Sequence, residues 1–387
     1  MKKNKWIIGF LVISLICNLI VLKVDIIPFM MLRFEIKHSK NQPKISNIKS
    51  PEKIILNRSL EMANSNTIFT VFDEQSSFSE SFLRMLGHGG RDDLFKRYNY
   101  PRAYLISGLT DYAKSEKDTV LMLKIAKIFD KYINDDGSPS FVLDKVDQVP
   151  FGIAAINLFK YTNNIKYEKF AKYIYNYIKS LEHNNIVLYR NNSNVQLNDV
   201  VGMICPFLVR YEEISKDRKS LLLCLKQLQF YNTYGVDKET FLPCHGINLK
   251  TNIKVGPTNW GRGIGWYLIG LSEYVKKEGR LTSQLNGLIN SLEMLKTDDL
   301  VWTQFPGSDT KFDASSTTMF MYGINLSKPD AYSKQDVFKI LNNYIKEDGT
   351  IISTSGDTHG INNYSQTFGE SELSQGMLLM LLSTTTK

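Results

Sequence analysis

Apolar residues recur every three or four positions along most of the chain from residue 51 onward, with polar residues between them. In the segment 165–183, for example, Phe170, Ala171, Ile174 and Ile178 fall on one face of a helix. The same spacing predicts twelve helices: 51–65, 99–115, 118–134, 148–162, 165–183, 199–215, 218–233, 261–277, 280–296, 314–327, 333–347 and 372–384. The body of the chain is therefore predicted to be all-α.

The connections between these segments alternate in length. Short turns such as 115–117 and 163–165 join the two helices of a pair, whereas long Gly-, Asn- and Asp-rich loops lie between pairs: 135–147, 184–198, 234–260, 297–312 and 348–371. Six helical hairpins with their long loops at one end describe an (α/α)6 barrel over residues 51–387, with the site at the loop-bearing rim. An open α-solenoid is the alternative. Loops this long are usually functional, which favours the closed barrel.

The N-terminal fifty residues predict a membrane anchor. Lys2, Lys3 and Lys5 precede an uncharged apolar run. The predicted parts are a cytoplasmic basic tip at 1–5, a transmembrane signal anchor at 6–22 and a polar tether at 23–50. Positive charge stays inside, so the body is expected outside the cytoplasm, in the periplasm or at the cell surface. A cleaved signal peptide is the alternative, but no A-x-A-like cut site follows the run.

The charge distribution argues against a nucleic-acid partner. The formal net charge is +8, but residues 1–50 alone hold nine basic and two acidic residues. The remaining chain holds 38 basic and 37 acidic residues, so it has no basic footprint for DNA or RNA. Its cysteines show no C-x-x-C pair and no Cys/His metal spacing, and we predict neither a metal nor a cofactor.

The most specific motif is W-G-R-G-I-G-W at 260–266, at the start of a predicted helix. Glycines allow the backbone to approach a ligand closely. The indoles of Trp260 and Trp266 suit sugar rings, and Arg262 can pair with a carboxylate in a bidentate manner. The alternative is a tight loop with buried tryptophans.

Two acidic residues lie at the starts of consecutive predicted hairpins. Asp199 opens an otherwise apolar helix after a long loop, and Asp147 precedes the helix at 148–162. Either residue is equally well explained as a helix N-cap. If both lie at the barrel rim, they converge on one cavity, which is the arrangement that general acid/base catalysis requires.

Further polar residues are placed where the same rim is predicted. His245 lies in the long loop before Trp260, although a loop histidine is more often simply solvated. Asp313, Ser315 and Ser316 begin the helix at 314–327. Their hydroxyls either bind a ligand carboxylate or complete the helix start.

Several of these segments resemble, in the same order, the unsaturated glucuronyl and rhamnogalacturonyl hydrolases of glycoside hydrolase families 88 and 105. The resemblance covers roughly residues 95–385. Residues 260–266 resemble the family motif W-G-R-G-N-G-W, and 199–208 resemble D-x-x-x-M-x-x-P-F-L, whose Asp is the catalytic acid/base. Asp147 with Gly152, His245 with Gly246, the segment 313–319 and the segment 374–376 resemble the remaining motifs. Ile264, Ser316 and Ser374 depart from the family pattern, and these changes are expected to reshape the sugar-binding subsite.

The resemblance implies an (α/α)6 barrel that removes a 4,5-unsaturated uronic acid from lyase-generated oligosaccharides. In the implied mechanism, Asp199 protonates C4 of the vinyl ether and then activates water toward C5, while Asp147 holds the ring. His245 and Arg262 assist with orientation and charge, and Trp260 and Trp266 form a sugar platform. The alternatives are a conventional inverting glycosidase on the same barrel and a non-catalytic, membrane-tethered polysaccharide-binding or assembly protein.

Overall fold

The computed structural model describes residues 2–27, 45, 49–66, 69–71, 98–358 and 360–385. These ranges contain thirteen α-helices: α1 (Lys2–Val21), α2 (Pro51–Asn64), α3 (Tyr100–Ser115), α4 (Thr119–Phe129), α5 (Phe151–Thr162), α6 (Ile165–Ser180), α7 (Asn198–Ser215), α8 (Lys219–Tyr234), α9 (Gly261–Glu278), α10 (Thr282–Met294), α11 (Ala314–Ser327), α12 (Lys334–Ile340) and α13 (Glu372–Leu382). The predicted helical body is confirmed.

The helices form a closed double ring. Six inner helices pack each on the next in the order α3, α5, α7, α9, α11 and α13, and α13 packs back on α3. Five outer helices are the second members of their hairpins, and α2 packs on α3 and α13 to complete the sixth position. Helices α2 and α13, the first and the last of the barrel, therefore form one hairpin-like unit. Because this unit closes the ring, the open solenoid is excluded.

The long loops contain short strands that the helical periodicity does not predict. They are β1 (Glu182–His183), β2 (Ile186–Val187), β3 (Val195–Leu197), β4 (Gly246–Asn248), β5 (Lys254–Val255), β6 (Thr354–Ser355) and β7 (Phe368–Gly369). Strands β3, β4 and β5 form one antiparallel sheet, while β1–β2 and β6–β7 form two-stranded ribbons. The loops at the rim are thus held by backbone pairing, which fixes the side chains they carry.

The prediction of a transmembrane anchor at 6–22 is not supported. Helix α1 covers all of this segment except Leu22, but within the described residues no helix is long and apolar enough to cross a bilayer. The side chains of the basic tip at 1–5 and most of the tether at 23–50 lie outside the described residues.

Glycine allows α3 and α13 to make backbone contact where the ring closes. A Cβ atom on Gly376 would lie 2.5 Å from the carbonyl oxygen of Tyr104 and 2.6 Å from the amide nitrogen of Leu105. Gly108 faces the backbone of Gly376 in the same way. Backbone atoms of two packed helices cannot yield as a flexible side chain does, so this contact requires glycine.

We expect Gly376→Ala to destabilise the barrel by about 3 kcal/mol or more, because the helices must separate to admit the methyl group. The measurement is the midpoint of denaturant unfolding. Gly369→Ala is the matched control, since its Cβ would meet only methyl groups of Val71, at 3.3 and 4.0 Å. Equal losses in the two variants would contradict the explanation.

Candidate active site

A small polar cavity of about 110 Å³ lies at the rim formed by the N-terminal ends of the inner helices. Residues from six separate segments line it: Asn99, Tyr100, Asp147, Tyr189, Asp199, Trp260, Arg262, Asp357 and Thr358. Four of these were predicted from the sequence. The cavity therefore joins the two candidate carboxyls to Trp260 and Arg262 of the W-G-R-G-I-G-W motif.

A small antiparallel sheet brings Asp199 and His245 together. Strand β3 runs directly into α7, and its last residue, Leu197, pairs with Gly246 at the start of β4. This register sets Asn198 beside His245, whose carbonyl oxygen accepts a 2.9 Å hydrogen bond from the Asn198 amide. One residue further on, Asp199 faces the imidazole, with 3.6 Å between Asp199 Oδ2 and His245 Nε2.

The protein does not complete the hydrogen bonding of the Asp199 carboxyl. Its Oδ2 atom is buried and has no hydrogen-bond partner among the described residues. The residue lies in the first turn of α7, where the helix N-terminus favours negative charge. A buried carboxylate oxygen that lacks a donor is costly until another molecule completes its hydrogen bonds. Asp199 is therefore placed to exchange a proton with a bound ligand.

Asp147 lies deeper and is held more firmly. It sits in the 3₁₀ turn Val146–Gln148, because Pro150 delays the start of α5 to Phe151. Its carboxyl accepts a 2.7 Å hydrogen bond from the Tyr189 hydroxyl and lies 3.4 Å from Lys145 Nζ. Burial is the main influence and raises the pKa of Asp147 from 3.8 to about 6, against the opposing effects of Lys145 and Tyr189. Asp147 and Asp199 thus occupy different environments within one cavity.

The raised pKa of Asp147 predicts a pH dependence of stability. Between pH 3.8 and about 6 the folded protein binds a proton that the unfolded chain has released, so its stability falls as pH rises through this window. Asp147→Asn should remove this component. At 1.36 kcal/mol per pKa unit, the free energy of unfolding of the variant should rise by about 2–3 kcal/mol relative to that of the wild type between pH 4 and 7. Chemical unfolding across this range measures it, and parallel curves for the two proteins would refute the assignment.

Arg262 is fully engaged by other protein groups. Its Nη1 atom donates to the Tyr100 hydroxyl at 3.1 Å and to Asp357 Oδ1 at 3.3 Å, while Nη2 donates to both oxygens of Ser355. The Tyr100 hydroxyl also donates to Asp357. The Asp357 carboxylate therefore occupies the place on Arg262 where a ligand carboxylate was expected.

Asp313, Ser315 and Ser316 lie behind Arg262 rather than in the cavity wall. Asp313 is fully buried, and its carboxylate accepts hydrogen bonds from both serine hydroxyls and from the backbone and hydroxyl of Ser355. Ser315 in turn accepts a 3.2 Å hydrogen bond from Arg262 Nε. We predicted that these three residues contact the substrate. The structure instead gives them a supporting role, because their polar atoms form hydrogen bonds that cap the helix and hold Arg262.

The two tryptophans of the motif have different positions. Trp260 is the N-cap residue of α9, lines the cavity and packs on His245 at a ring distance of 4.4 Å. Trp266 is 1% exposed and packs below the cavity against Tyr104 and Tyr100. The prediction of a platform formed by both indoles is wrong for Trp266, since residues six positions apart on a helix face different neighbours.

The glycines of the motif serve helix packing. A Cβ atom on Gly261 would lie 2.9 Å from the Cβ of Ser316, and one on Gly265 would lie 2.9 Å from that of Met319, both on α11. On Gly263 it would lie 2.7 Å from the side-chain nitrogen of Asn198 on α7. Close approach of α9 to its two neighbours, and not of the backbone to a ligand, is the reason for these glycines.

Sequence reasoning missed Tyr100, Tyr189, Asp357 and Tyr364. Tyr189 and Asp357 lie in loops that were predicted to border the rim, but nothing in their local sequence distinguishes them. Tyr100 follows Asn99, the N-cap residue of α3, so its place at a helix start was the available signal. Tyr364 contacts His245 from the last long loop, through a 2.6 Å hydrogen bond to Nδ1.

A larger cavity of about 470 Å³ opens among the C-terminal ends of the inner helices. Its central charges are already matched, since Arg210 pairs with Asp111 and with Glu273 at 2.7 Å each. The rim cavity is smaller but contains the incompletely satisfied Asp199. Within the described ranges, no group of three or more His, Cys, Asp or Glu side chains is arranged to hold a metal ion.

Comparison with known proteins gives a matching family profile and several similar solved structures. The profile of Glycosyl Hydrolase Family 88 matches residues 81–386. A family 105 glycoside hydrolase from C. acetobutylicum ATCC 824 is 18% identical, with a TM-score of 0.63 over 78% of this chain and 96% of that chain. A possible GH105 member from Klebsiella pneumoniae subsp. pneumoniae MGH 78578 is 17% identical, with a TM-score of 0.68 over 89% and 94%.

A family 88 glycosyl hydrolase from Bacteroides vulgatus is 13% identical, with a TM-score of 0.57 over 87% of this chain and 99% of that chain. No curated protein matches the chain. At these identities the solved structures support only the fold. The family profile covers most of the sequence and the entire described barrel apart from α2. The chain belongs to Glycosyl Hydrolase Family 88 and is a glycoside hydrolase.

Proposed function

We propose that this enzyme removes a 4,5-unsaturated uronic acid from the non-reducing end of oligosaccharides that polysaccharide lyases produce. The observation that carries the proposal is the Asp199 carboxyl in the rim cavity. Its Oδ2 atom is buried without a hydrogen-bond partner among the described residues, and His245 Nε2 lies 3.6 Å away. Asp199 is also the residue whose surrounding segment resembles that of the family's acid/base, and a bound ligand can complete the hydrogen bonding of Oδ2.

The proposed reaction is hydration of a vinyl ether. Asp199, as the acid, gives its proton to C4 of the C4=C5 double bond, and positive charge develops at C5 and the ring oxygen. The resulting Asp199 carboxylate takes a proton from water as the water oxygen bonds to C5. The product is a hemiketal, which opens and releases the remaining sugar. The acid is regenerated, so no redox partner is consumed.

The other cavity groups support this sequence in distinct ways. Asp147, which burial keeps protonated in mild acid, can donate a hydrogen bond to a ring hydroxyl. Trp260 offers an aromatic face beside His245. Arg262 and Asp357 form an ion pair at 3.3 Å that fixes the far wall of the cavity. Substrate positioning thus falls to groups from several helices and loops.

One observation favours a second candidate, a conventional inverting glycosidase. Three carboxyls line the cavity, and its described cation, Arg262, is already paired with Asp357. Such a cavity favours a neutral sugar over an anionic one by electrostatics. Inverting enzymes also use one carboxyl as acid and another as base with water between them. In this reading Asp147, whose pKa is raised to about 6, is the acid and Asp199 is the base.

The test compares disaccharides that differ only in the double bond. Each pair contains one lyase-generated unsaturated disaccharide and its saturated uronate counterpart, and a neutral disaccharide completes the panel. The proposal expects loss of the ultraviolet absorbance of the conjugated double bond, with turnover confined to the unsaturated members. Turnover of saturated or neutral members would establish the second candidate. Binding throughout the panel without turnover would contradict both candidates for these sugars.

We further propose that the enzyme body lies outside the cytoplasm. The support is the order of the N-terminal sequence, in which Lys2, Lys3 and Lys5 precede the apolar run 6–22. When the cell wall or outer membrane has been removed and the cytoplasmic membrane is intact, added protease should then digest the barrel. Protection until the cells are lysed would contradict the proposal.

A further inference from the structure

The His245 ring is enclosed, and each of its nitrogens faces one polar group. The side chain is 3% exposed. Nε2 lies 3.6 Å from Asp199 Oδ2, and Nδ1 lies 2.6 Å from the Tyr364 hydroxyl oxygen. The two contacts lie on opposite edges of the imidazole. Only the Nδ1 contact is short enough to be a hydrogen bond, whereas Nε2 faces the carboxyl at ion-pair distance. The proton position on the ring therefore decides whether a proton or a lone pair is turned toward Asp199.

The chemistry of the two partners selects one tautomer. An ionised Asp199 is an acceptor only, so it requires a proton on Nε2. Neutral imidazole then leaves Nδ1 as the acceptor, and the Tyr364 hydroxyl must donate. Burial raises the pKa of Tyr364 well above its ordinary value, which keeps that hydroxyl protonated. Proton positions follow here from the partners' roles and not from the coordinates of hydrogens.

The backbone and the aromatic neighbours of Tyr364 place its hydroxyl firmly. The loop that carries it is bounded by the β6–β7 pairing and by a 2.9 Å hydrogen bond from the Gly356 amide to the Thr367 carbonyl. The Tyr364 ring contacts Trp260 at 5.3 Å and Phe305 at 5.2 Å between centroids. A side chain held on two sides by rings presents its hydroxyl with little freedom.

The backbone of His245 is fixed independently of its ring. Its amide donates to the Pro257 carbonyl at 3.1 Å, and its carbonyl accepts from Asn198 and from the Tyr231 hydroxyl. Gly256, with a φ of +78°, leaves room for the His245 Cβ, which a side chain at 256 would meet at 2.7 Å. Only the proton on the ring therefore remains to be set by Tyr364.

We propose that Tyr364 is a positioning residue that holds His245 as the Nε2–H tautomer, so that this proton is directed at the Asp199 carboxyl. Through His245, Tyr364 stabilises the carboxylate that Asp199 becomes after it has given up its proton. The effect on turnover rests on the proposed function, whereas the hydrogen-bond direction does not. Tyr364 itself is not required to touch the substrate.

The first readout is nuclear magnetic resonance of the full-length chain labelled with ¹⁵N-histidine, and His245→Gln identifies the His245 signals. In the wild type at pH above the histidine titration, we expect an imine-type shift for Nδ1 and a pyrrole-type shift for Nε2. Tyr364→Phe keeps the ring but removes the donor, and should move the population toward the Nδ1–H form. An Nδ1–H tautomer in the wild type, or no change in the variant, overturns the proposal.

The second readout is steady-state kinetics on an unsaturated disaccharide that the wild type cleaves. Tyr364→Phe should lower kcat about tenfold with little change in KM, because a hydrogen bond to the acid/base system is lost while sugar contacts remain. Tyr344→Phe is the matched control, since that ring stacks on Phe312 outside the cavity. A shifted tautomer with wild-type kcat would overturn the positioning role. If no sugar is cleaved, the proposed function fails, and the tautomer measurement still decides the hydrogen bond.

Discussion

Replacing Asp199 with Asn is expected to lower kcat by about 10²–10⁴-fold while the protein remains folded. The amide keeps the shape of the carboxyl but can neither give nor take the proton, and positioned proton transfer contributes an acceleration of this size. No protein hydrogen bond to Oδ2 is lost among the described residues, because that atom has none. Stability should therefore change little. Initial rates and thermal unfolding of the same preparation measure both quantities.

Asp298→Asn is the control for this substitution, since it makes the same chemical change in an exposed loop. It should leave kcat and stability unaltered. If Asp199→Asn retains wild-type kcat, Asp199 is not the acid/base. If instead it unfolds the protein, the role of Asp199 is structural.

Replacing Arg102 with Met is expected to destabilise the barrel by about 3–5 kcal/mol. Arg102 on α3 makes a bidentate ion pair with Glu372 on α13, with both nitrogen–oxygen distances at 2.6 Å. The two side chains are 3% and 0% exposed. Removing one partner leaves the other as an uncompensated buried charge, which is the costly way to break such a pair. Denaturant unfolding monitored by circular dichroism measures the loss.

The double variant Arg102→Met with Glu372→Leu separates this cause from a simple loss of packing. With no carboxylate left buried, it should be more stable than Arg102→Met alone. A double variant less stable than the single one would show that the hydrogen bonds of Arg102 to the Ala63 carbonyl and the Tyr132 hydroxyl dominate instead.

The periodic apolar pattern was sufficient to predict the helices of the barrel, but not all their ends. The segment 165–183 is strongly amphipathic, and α6 occupies most of it. The segment 333–347 yields only the seven-residue α12, after which the chain turns at Leu341 and pairs Ile345 with Ile351. Apolar spacing alone cannot separate a short helix followed by a bridge from a longer helix, because both bury the same residues.

The convergence of Asp147 and Asp199 was predictable because both lie at the starts of inner helices of consecutive hairpins. The remaining cavity wall was not. Tyr100 and Asp357 lie 257 positions apart in sequence and meet only because α13 returns the chain to α3. Contacts of this kind depend on how the ring closes, and no local pattern encodes them.

The same reason explains the errors at Trp266 and Asp313. The residue types in both motifs fit sugar and carboxylate recognition, and the sequence left a buried or capping role open for each. The structure decides for burial, because Tyr104 covers Trp266 and Ser355 completes the carboxylate of Asp313. A polar group is free to bind a ligand only if no neighbouring protein group already hydrogen-bonds to it. The tertiary structure, and not the local sequence, decides this.

The completion of the ring by α2 and α13 has a consequence for the folding order. Every other hairpin joins helices that are adjacent in sequence, so five of the six can form as local units during synthesis. The sixth unites residues 51–64 with 372–382 and must wait until nearly the whole barrel sequence is available. Its closure entropy is that of a loop of roughly 300 residues, and such nonlocal contacts slow folding. Until that step, both α3 and α13 expose apolar faces, so the interval before closure is when the nascent chain most needs protection from aggregation.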